Sequence, residues 1–212
     1  MILIDTSEIK ALEKKLENIP NGAIKVLRRT INETAKRSGK TVSDAIKDNY
    51  NYIGKVGLIK KSIKVTKPDT GEDISATINV TSGAQPLRDF AHSPKKMTFG
   101  RGRILTANVK NGGNALPGAF KTVMTNGHIG IYKRLPGKYM KRVNKIGVFK
   151  GMQRRAAIDQ LFGPSIAAMA GSDESRETIE KDIKETFDKR LDHNVEQILA
   201  VSYTHLRAHE TG

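Results

Sequence analysis

Residues 119–132 read Ala119-Phe120-Lys121-Thr122-Val123-Met124-Thr125-Asn126-Gly127-His128-Ile129-Gly130-Ile131-Tyr132. Ala119 to Met124 and His128 to Tyr132 have strand composition. Asn126-Gly127 between them is the dipeptide that two-residue type I′ hairpin turns favour, because both residues tolerate positive φ. Strands joined this tightly pair antiparallel. Further from the hairpin, Ile104 to Val109 is another strand candidate. Upstream, Ile63 and Val65, then Ile74, Ala76, Ile78 and Val80, alternate as two strands on either side of Lys67-Pro68-Asp69-Thr70-Gly71. Leu58 to Ser62 reads as a single helical turn.

Helical periodicity occupies both ends. Asp5-Thr6-Ser7-Glu8 reads as a capped start for a helix with Ile9, Leu12, Leu16 and Ile19 on one face, stopped by Pro20-Asn21-Gly22. Ile24, Leu27, Ile31, Ala35, Val42, Ala45 and Ile46 then recur at helical spacings to about Asn49. That predicts a helix about 39 Å long at 1.5 Å per residue. Gly39 in its middle costs about 1 kcal/mol relative to Ala, so packing has to hold it. Ser172-Asp173-Glu174 caps a final helix whose face is Ile179, Ile183, Phe187, Leu191, Val195 and Ile198. With no β-α-β alternation, the expectation is an α+β domain over 1–200, its helices flanking a small antiparallel sheet. Residues 134–156 are basic and glycine-rich without clear periodicity, and read as a long loop or arm.

Charge is distributed unevenly. From His92 to Ile158 there are 15 Lys or Arg residues and no Asp or Glu, where the chain-wide acid frequency predicts about seven. The other 22 basic residues match the 22 acids, so the whole net charge of +15 lies in this segment. A block of one sign marks an interaction surface, and a pI near 10 favours nucleic acid, acidic lipid or acidic protein as partner. The candidate contact residues are Arg101, Arg103, Lys133, Arg134, Lys138, Lys141, Arg142, Lys145, Arg154 and Arg155. Phe99, Phe120, Tyr132, Tyr139 and Phe149 are interleaved with these cations, as in stacking platforms for nucleic acid. Two of them fall in strands, however, where a core role is commoner.

Catalytic chemistry finds little support. Gly39-Lys40-Thr41 ends like a phosphate loop, but Thr34 stands where that loop needs a glycine, and the tripeptide lies inside a helix. His92, His128 and His193 lack metal-helix spacing. Ser165, in Gly163-Pro164-Ser165, lacks the nucleophile-elbow pattern. No cofactor, metal or catalytic residue is expected. The absence of cysteine excludes disulfides and fits a reducing cytoplasm. No run approaches the roughly 20 apolar residues that span a bilayer, so no membrane partner is expected. Residues 201–212, from Val201-Ser202-Tyr203-Thr204-His205-Leu206 onward, resemble the translation of a sequencing adapter. They are left out of the expected fold, and the natural C-terminus is expected to be missing.

Leu116-Pro117-Gly118-Ala119-Phe120, the hairpin around Asn126-Gly127 and Ile158-Asp159-Gln160-Leu161-Phe162-Gly163-Pro164-Ser165-Ile166 carry a resemblance. In this order, after a long helix and strands ending Ala76-Thr77-Ile78-Asn79-Val80, the chain resembles the prophage minor tail protein Z family over roughly residues 7–200. Ala157 departs from it, since relatives often carry proline before the isoleucine. The resemblance implies a non-enzymatic tail-completion protein of long-tailed phages, acting at the head–tail junction of the virion after assembly in the host cytoplasm. It also implies tail or neck proteins as partners, a homo-oligomeric ring and passing DNA contact. Pro117, Gly118, Phe120, Asn126, Gly127, Gly163, Pro164 and Ser165 are the motif residues. A nucleic-acid-binding module using residues 92–158 is the alternative.

Overall fold

A computed structural model describes residues 12–17, 19, 21–66, 75–96, 104–144 and 151–210, with backbone alone at 140–144, 151–155 and 202–210. Helix α1 spans Gly22–Asn49 and α2 spans Val56–Ser62. Ten strands follow: β1 Ile63–Thr66, β2 Thr77–Val80, β3 Ala84–Pro86, β4 Ala91–Ser93, β5 Leu105–Asn108, β6 Asn114–Leu116, β7 Ala119–Val123, β8 Ile129–Asn144, β9 Gly151–Gln160 and β10 Phe162–Ser165. Helices α3, Ile166–Ala170, and α4, Asp173–Glu210, close the described chain. The fold is α+β. In place of one sheet there are four small antiparallel ones, ordered β1-β2, β10-β3, β4-β5-β6 and β7-β8-β9. The chain divides into two compact units, Met1–Ile46 with Ile59–Thr81 and Ala170–Gly212, and Lys47–Leu58 with Ser82–Met169. The sequence expectation treats 1–200 as one domain.

In the first unit, Leu12, Leu16, Val26 and Leu27 form a buried cluster. Phe187, Leu191, Val195 and Ile198 of α4 pack against it, the face that periodicity predicts. Each such side chain contributes about 1.5 to 3 kcal/mol when fully buried. The capped start at residues 5–8 lies outside the described residues. Of the expected face of α1, Leu27, Ala35, Val42, Ala45 and Ile46 are buried, and the buried surface extends further than apolar spacing shows. Ile24 is 46% exposed, whereas Val26, Thr30, Thr34, Ser38, Val42 and Ile46 form an i, i+4 row of buried residues. Half of that row is polar, which is why a search for apolar spacing misses it. Helix α4 also continues through residues 201–210, which carry no glycine or proline to stop it.

Hydrogen bonding answers for some of this burial. The Asn194 amide donates to Thr30 Oγ1 at 3.0 Å and to Glu33 Oε2 at 3.5 Å. The guanidinium groups of Arg29 and Arg190 approach the same carboxylate at 3.2 and 3.8 Å. Burial pushes the Glu33 carboxyl up, but the hydrogen bonds from Arg29 and Asn194 and the charges of Arg29 and Arg190 outweigh it, leaving it below the ordinary value of 4.5.

In the second unit, Tyr52 meets Phe90 edge to face with ring centroids 5.4 Å apart. Burial, then the Asp89 charge, raises the phenol pKa. The hydroxyl therefore stays protonated and donates to Gln85 Oε1. Strands β7 and β8 pair from Ala119↔Lys133 to Val123↔Ile129, so the predicted hairpin is present. Its turn is of another kind. Gly127 N–H donates to Met124 O, and Met124 N–H donates to His128 O. Gly127 has φ +78, and among the described non-glycine residues only Asn21 has positive φ. This is a three-residue loop closed by a glycine bulge rather than a type I′ turn, which would need positive φ at Asn126 too. Asn126 instead accepts from the His128 N–H through its side chain at 3.0 Å.

Two stability effects are expected. A Cβ at Gly163 would lie 2.5 Å from Phe90 Cε2, so Gly163→Ala should cost about 1 to 3 kcal/mol, read from the urea midpoint. A carboxyl held low when folded stabilises above pH 4.5, and that contribution disappears as pH falls below it. Glu33→Gln should therefore flatten the acid limb of the melting-temperature profile below pH 4.5.

Candidate functional site

Most of the predicted contact residues fall on one element. The stretch read as a loop or arm at 134–156 is mainly a β-ribbon, with β8 and β9 pairing from Tyr139↔Ala156 through Lys141↔Arg154 to Asn144↔Gly151. Backbone ladder bonds hold such a ribbon whatever its side chains, so it leaves no apolar alternation to read. Nearer the core, Tyr132↔Gln160, Lys133↔Asp159 and Arg134↔Ile158 continue the same pairing. Between the two stretches β8 advances five residues while β9 advances two, leaving three extra residues on β8. Pro136 and Gly137 lie in this bulge, and they suit it. Proline has no N–H for a ladder, and Gly137 has φ +71.

The register gathers Lys138, Lys141, Arg142, Arg154 and Arg155 on the ribbon beyond the bulge, or at its edge. Lys133 and Arg134 stand at its root, both exposed. The Arg134 guanidinium lies 5.4 Å from the centre of the Phe120 ring, and Phe120 in turn lies 6.3 Å from Tyr132. Arg101, Arg103 and Lys145 lie outside the described residues, as do Phe99 and Phe149. Of the aromatics proposed for stacking, Tyr132 is buried and Tyr139 is exposed.

The motif residues shape backbone. Pro117-Gly118 is the turn from β6 to β7, with Gly118 at φ +76, the positions proline and glycine take in a type II turn. Pro164 is skipped in the β10–β3 register, where Gly163↔Gln85 is followed by Ser165↔Ala84. The Ser165 hydroxyl accepts from the Ala168 N–H at 3.0 Å and caps α3.

A second cationic group was not anticipated from sequence. Lys121 Nζ lies 2.9 Å from His92 Nε2 and donates to Lys95 O at 2.8 Å. His92 Nδ1 lies 2.8 Å from Phe90 O. A charged lysine only donates, so Nε2 accepts and Nδ1–H donates to the carbonyl. Arg88 donates to Ile129 O at 2.6 Å. Burial, then the Arg88 charge, holds the Lys121 ammonium below its ordinary pKa. These contacts tie β4 and the following residues to β7. They are structural, and no spacing in the sequence announces them.

Chemical groupings are sparse. Among the described residues no group of three or more His, Asp or Glu side chains could hold a metal ion, and no helix is long and apolar enough to cross a membrane. Gly39-Lys40-Thr41 lies within α1, where its N–H groups belong to the helix. The groove beside it, lined by Arg37, Lys40, Asp44, Asp182, Glu185 and Lys189 among others, carries both signs of charge. No family model, curated protein or solved structure matches the chain.

Folding penalises the Lys121 ammonium, so the unfolded chain holds that proton more tightly and stability rises as pH climbs towards 10.5. Lys121→Met should lack this rise. Thermal melts of both proteins across the alkaline range check it.

Proposed function

We propose that this chain is a non-enzymatic structural protein of phage tail completion and head–tail joining. One observation carries the reading. The motifs of the tail-completion resemblance are turns, a bulge and a helix cap of the β-rich unit, and the acid-free segment that runs through them pairs at its end as the basic β8–β9 ribbon. A scaffold that presents one charged ribbon suits joining, where binding surface matters and reacting groups do not. Its partners on this reading are tail or neck proteins and further copies of the chain in a ring. Its place is the head–tail junction of the virion.

The experiment is in vitro completion of tails that lack this protein. Lys138→Glu, Lys141→Glu and Arg142→Glu together should leave the melting temperature unchanged and lower the yield of joined particles at least tenfold. A single like-charge clash of about 1.4 kcal/mol already supplies about that factor. Joining at the wild-type rate would remove the ribbon from the mechanism. Failure of the wild-type chain to complete tails would remove the function itself.

A further inference from the structure

The geometry points to duplex DNA as the partner of the β8–β9 ribbon, gripped by its phosphates and not read by base. This goes beyond the joining role and stands on the ribbon alone.

Charge is the first argument. A protein partner presents both signs, and interfaces with such partners use opposite charges on each side to fix register and reject wrong neighbours. From His92 to Ile158 there is no carboxylate at all. The nucleic-acid backbone is the partner whose charge is uniform, one negative charge per about 1.7 Å of duplex axis.

The ladder supplies a second argument. Its register sets one cation, Lys141, directly opposite another, Arg154. Like charges directly opposite on paired strands are destabilising. A phosphate bound at such a position offsets that cost, since a charge-assisted contact to each cation replaces the like-charge pairing. In the same segment the chain offers Asn144, Gln153 and Tyr139, which hydrogen-bond or stack without adding negative charge.

Dimensions agree. Two strands about 4.8 Å apart form a ribbon of the kind that the major groove, about 12 Å wide, admits. The six register pairs from Tyr139 to Asn144 extend about 20 Å at 3.4 Å per residue, about six base-pair rises. Gly137, at the root of this stretch, and Gly151, at the start of β9, carry no side chain to hold the ribbon off a backbone.

The test uses the full chain and a fluorescein-labelled duplex of about 20 base pairs, followed by anisotropy as salt is raised from about 50 to about 200 mM. Five neutralised phosphates give a slope of log affinity on log salt near −4.5, so affinity should fall about 500-fold over that range. A variant carrying Lys138→Gln, Lys141→Gln, Arg142→Gln, Arg154→Gln and Arg155→Gln should keep its circular dichroism spectrum and melting temperature. Its slope should flatten by about 4.5. Single substitutions at each of the five positions keep the test usable if the fivefold variant fails to fold, each being expected to remove about 0.9 from the slope. Equal slopes for wild type and variants would overturn the proposal, as would a flat wild-type response. So would stronger binding to polyglutamate than to duplex, which would make an acidic protein the partner. Wild-type tail joining by a variant that has lost DNA binding would separate this proposal from the joining role.

Discussion

Strand β8 is bonded on both sides over only part of its length, and the β-rich unit depends on that part. From Ile129 to Lys133 it pairs with β7, and from Tyr132 to Arg134 with β9. Leu161 donates to Ile131 O and Leu87 donates to Leu161 O, so the link from β9 to β10 is tied into the same network. Ile131 is wholly buried and Tyr132 nearly so. A ladder occupied on both edges tolerates no proline, and the first proline of β8, Pro136, comes only after two-sided pairing has ended. Beyond that point, among the described residues, the strand pairs with β9 alone. Lysine on edges discourages pairing with a stray strand, so the positive charge protects the ribbon as well as equipping it to bind.

Periodicity located the elements that own a face. Long α1, the contact face of α4, the β1–β2 pair and the β7–β8 hairpin are all visible because burial imposes a 3.6 or 2.0 repeat on them. Strands β3, β4 and β6 are three residues long, too short for any repeat to show, and β10 has Gly163-Pro164 at its centre, which masks strand composition. The turn at Asn126-Gly127 shows a subtler limit. A hydrogen bond from the His128 N–H to the Asn126 side chain and a left-handed Gly127 suffice for a three-residue loop, and the dipeptide alone does not distinguish it from the two-residue form. For the candidate site, composition located the basic segment but could not show that register would set Lys141 against Arg154. The Lys121–His92–Phe90 chain is illegible for a different reason, because His92 in β4 and Lys121 in β7 lie 29 residues apart in sequence.

The helical unit rests on a compromise along α1. Thr30, Thr34 and Ser38 occupy a buried row that aliphatic residues would fill with greater transfer free energy. Ser38 bonds back to Ala35 O within its own helix at 2.8 Å, and Thr30 is answered by Asn194. Apolar contacts slide with little penalty, whereas a misplaced Asn194 leaves a buried amide unpaired, at a cost of about 1 to 3 kcal/mol. The Thr30–Asn194 bond thus favours one sliding position of α4 on α1, while Leu12, Leu16, Val26 and Leu27 supply cohesion.

The three-residue bulge around Pro136 and Gly137 also partitions cooperativity. Ladder bonds on its core side adjoin the doubly paired residues Tyr132 and Lys133, whereas those beyond it join β8 to β9 alone among the described residues, and two strands by themselves have marginal intrinsic stability. Opening the outer segment breaks no bond of the inner one. Amide protection is therefore expected to be graded along a single strand, lower beyond the bulge than before it. A surface of this kind can adapt to its partner without loosening the unit that carries it.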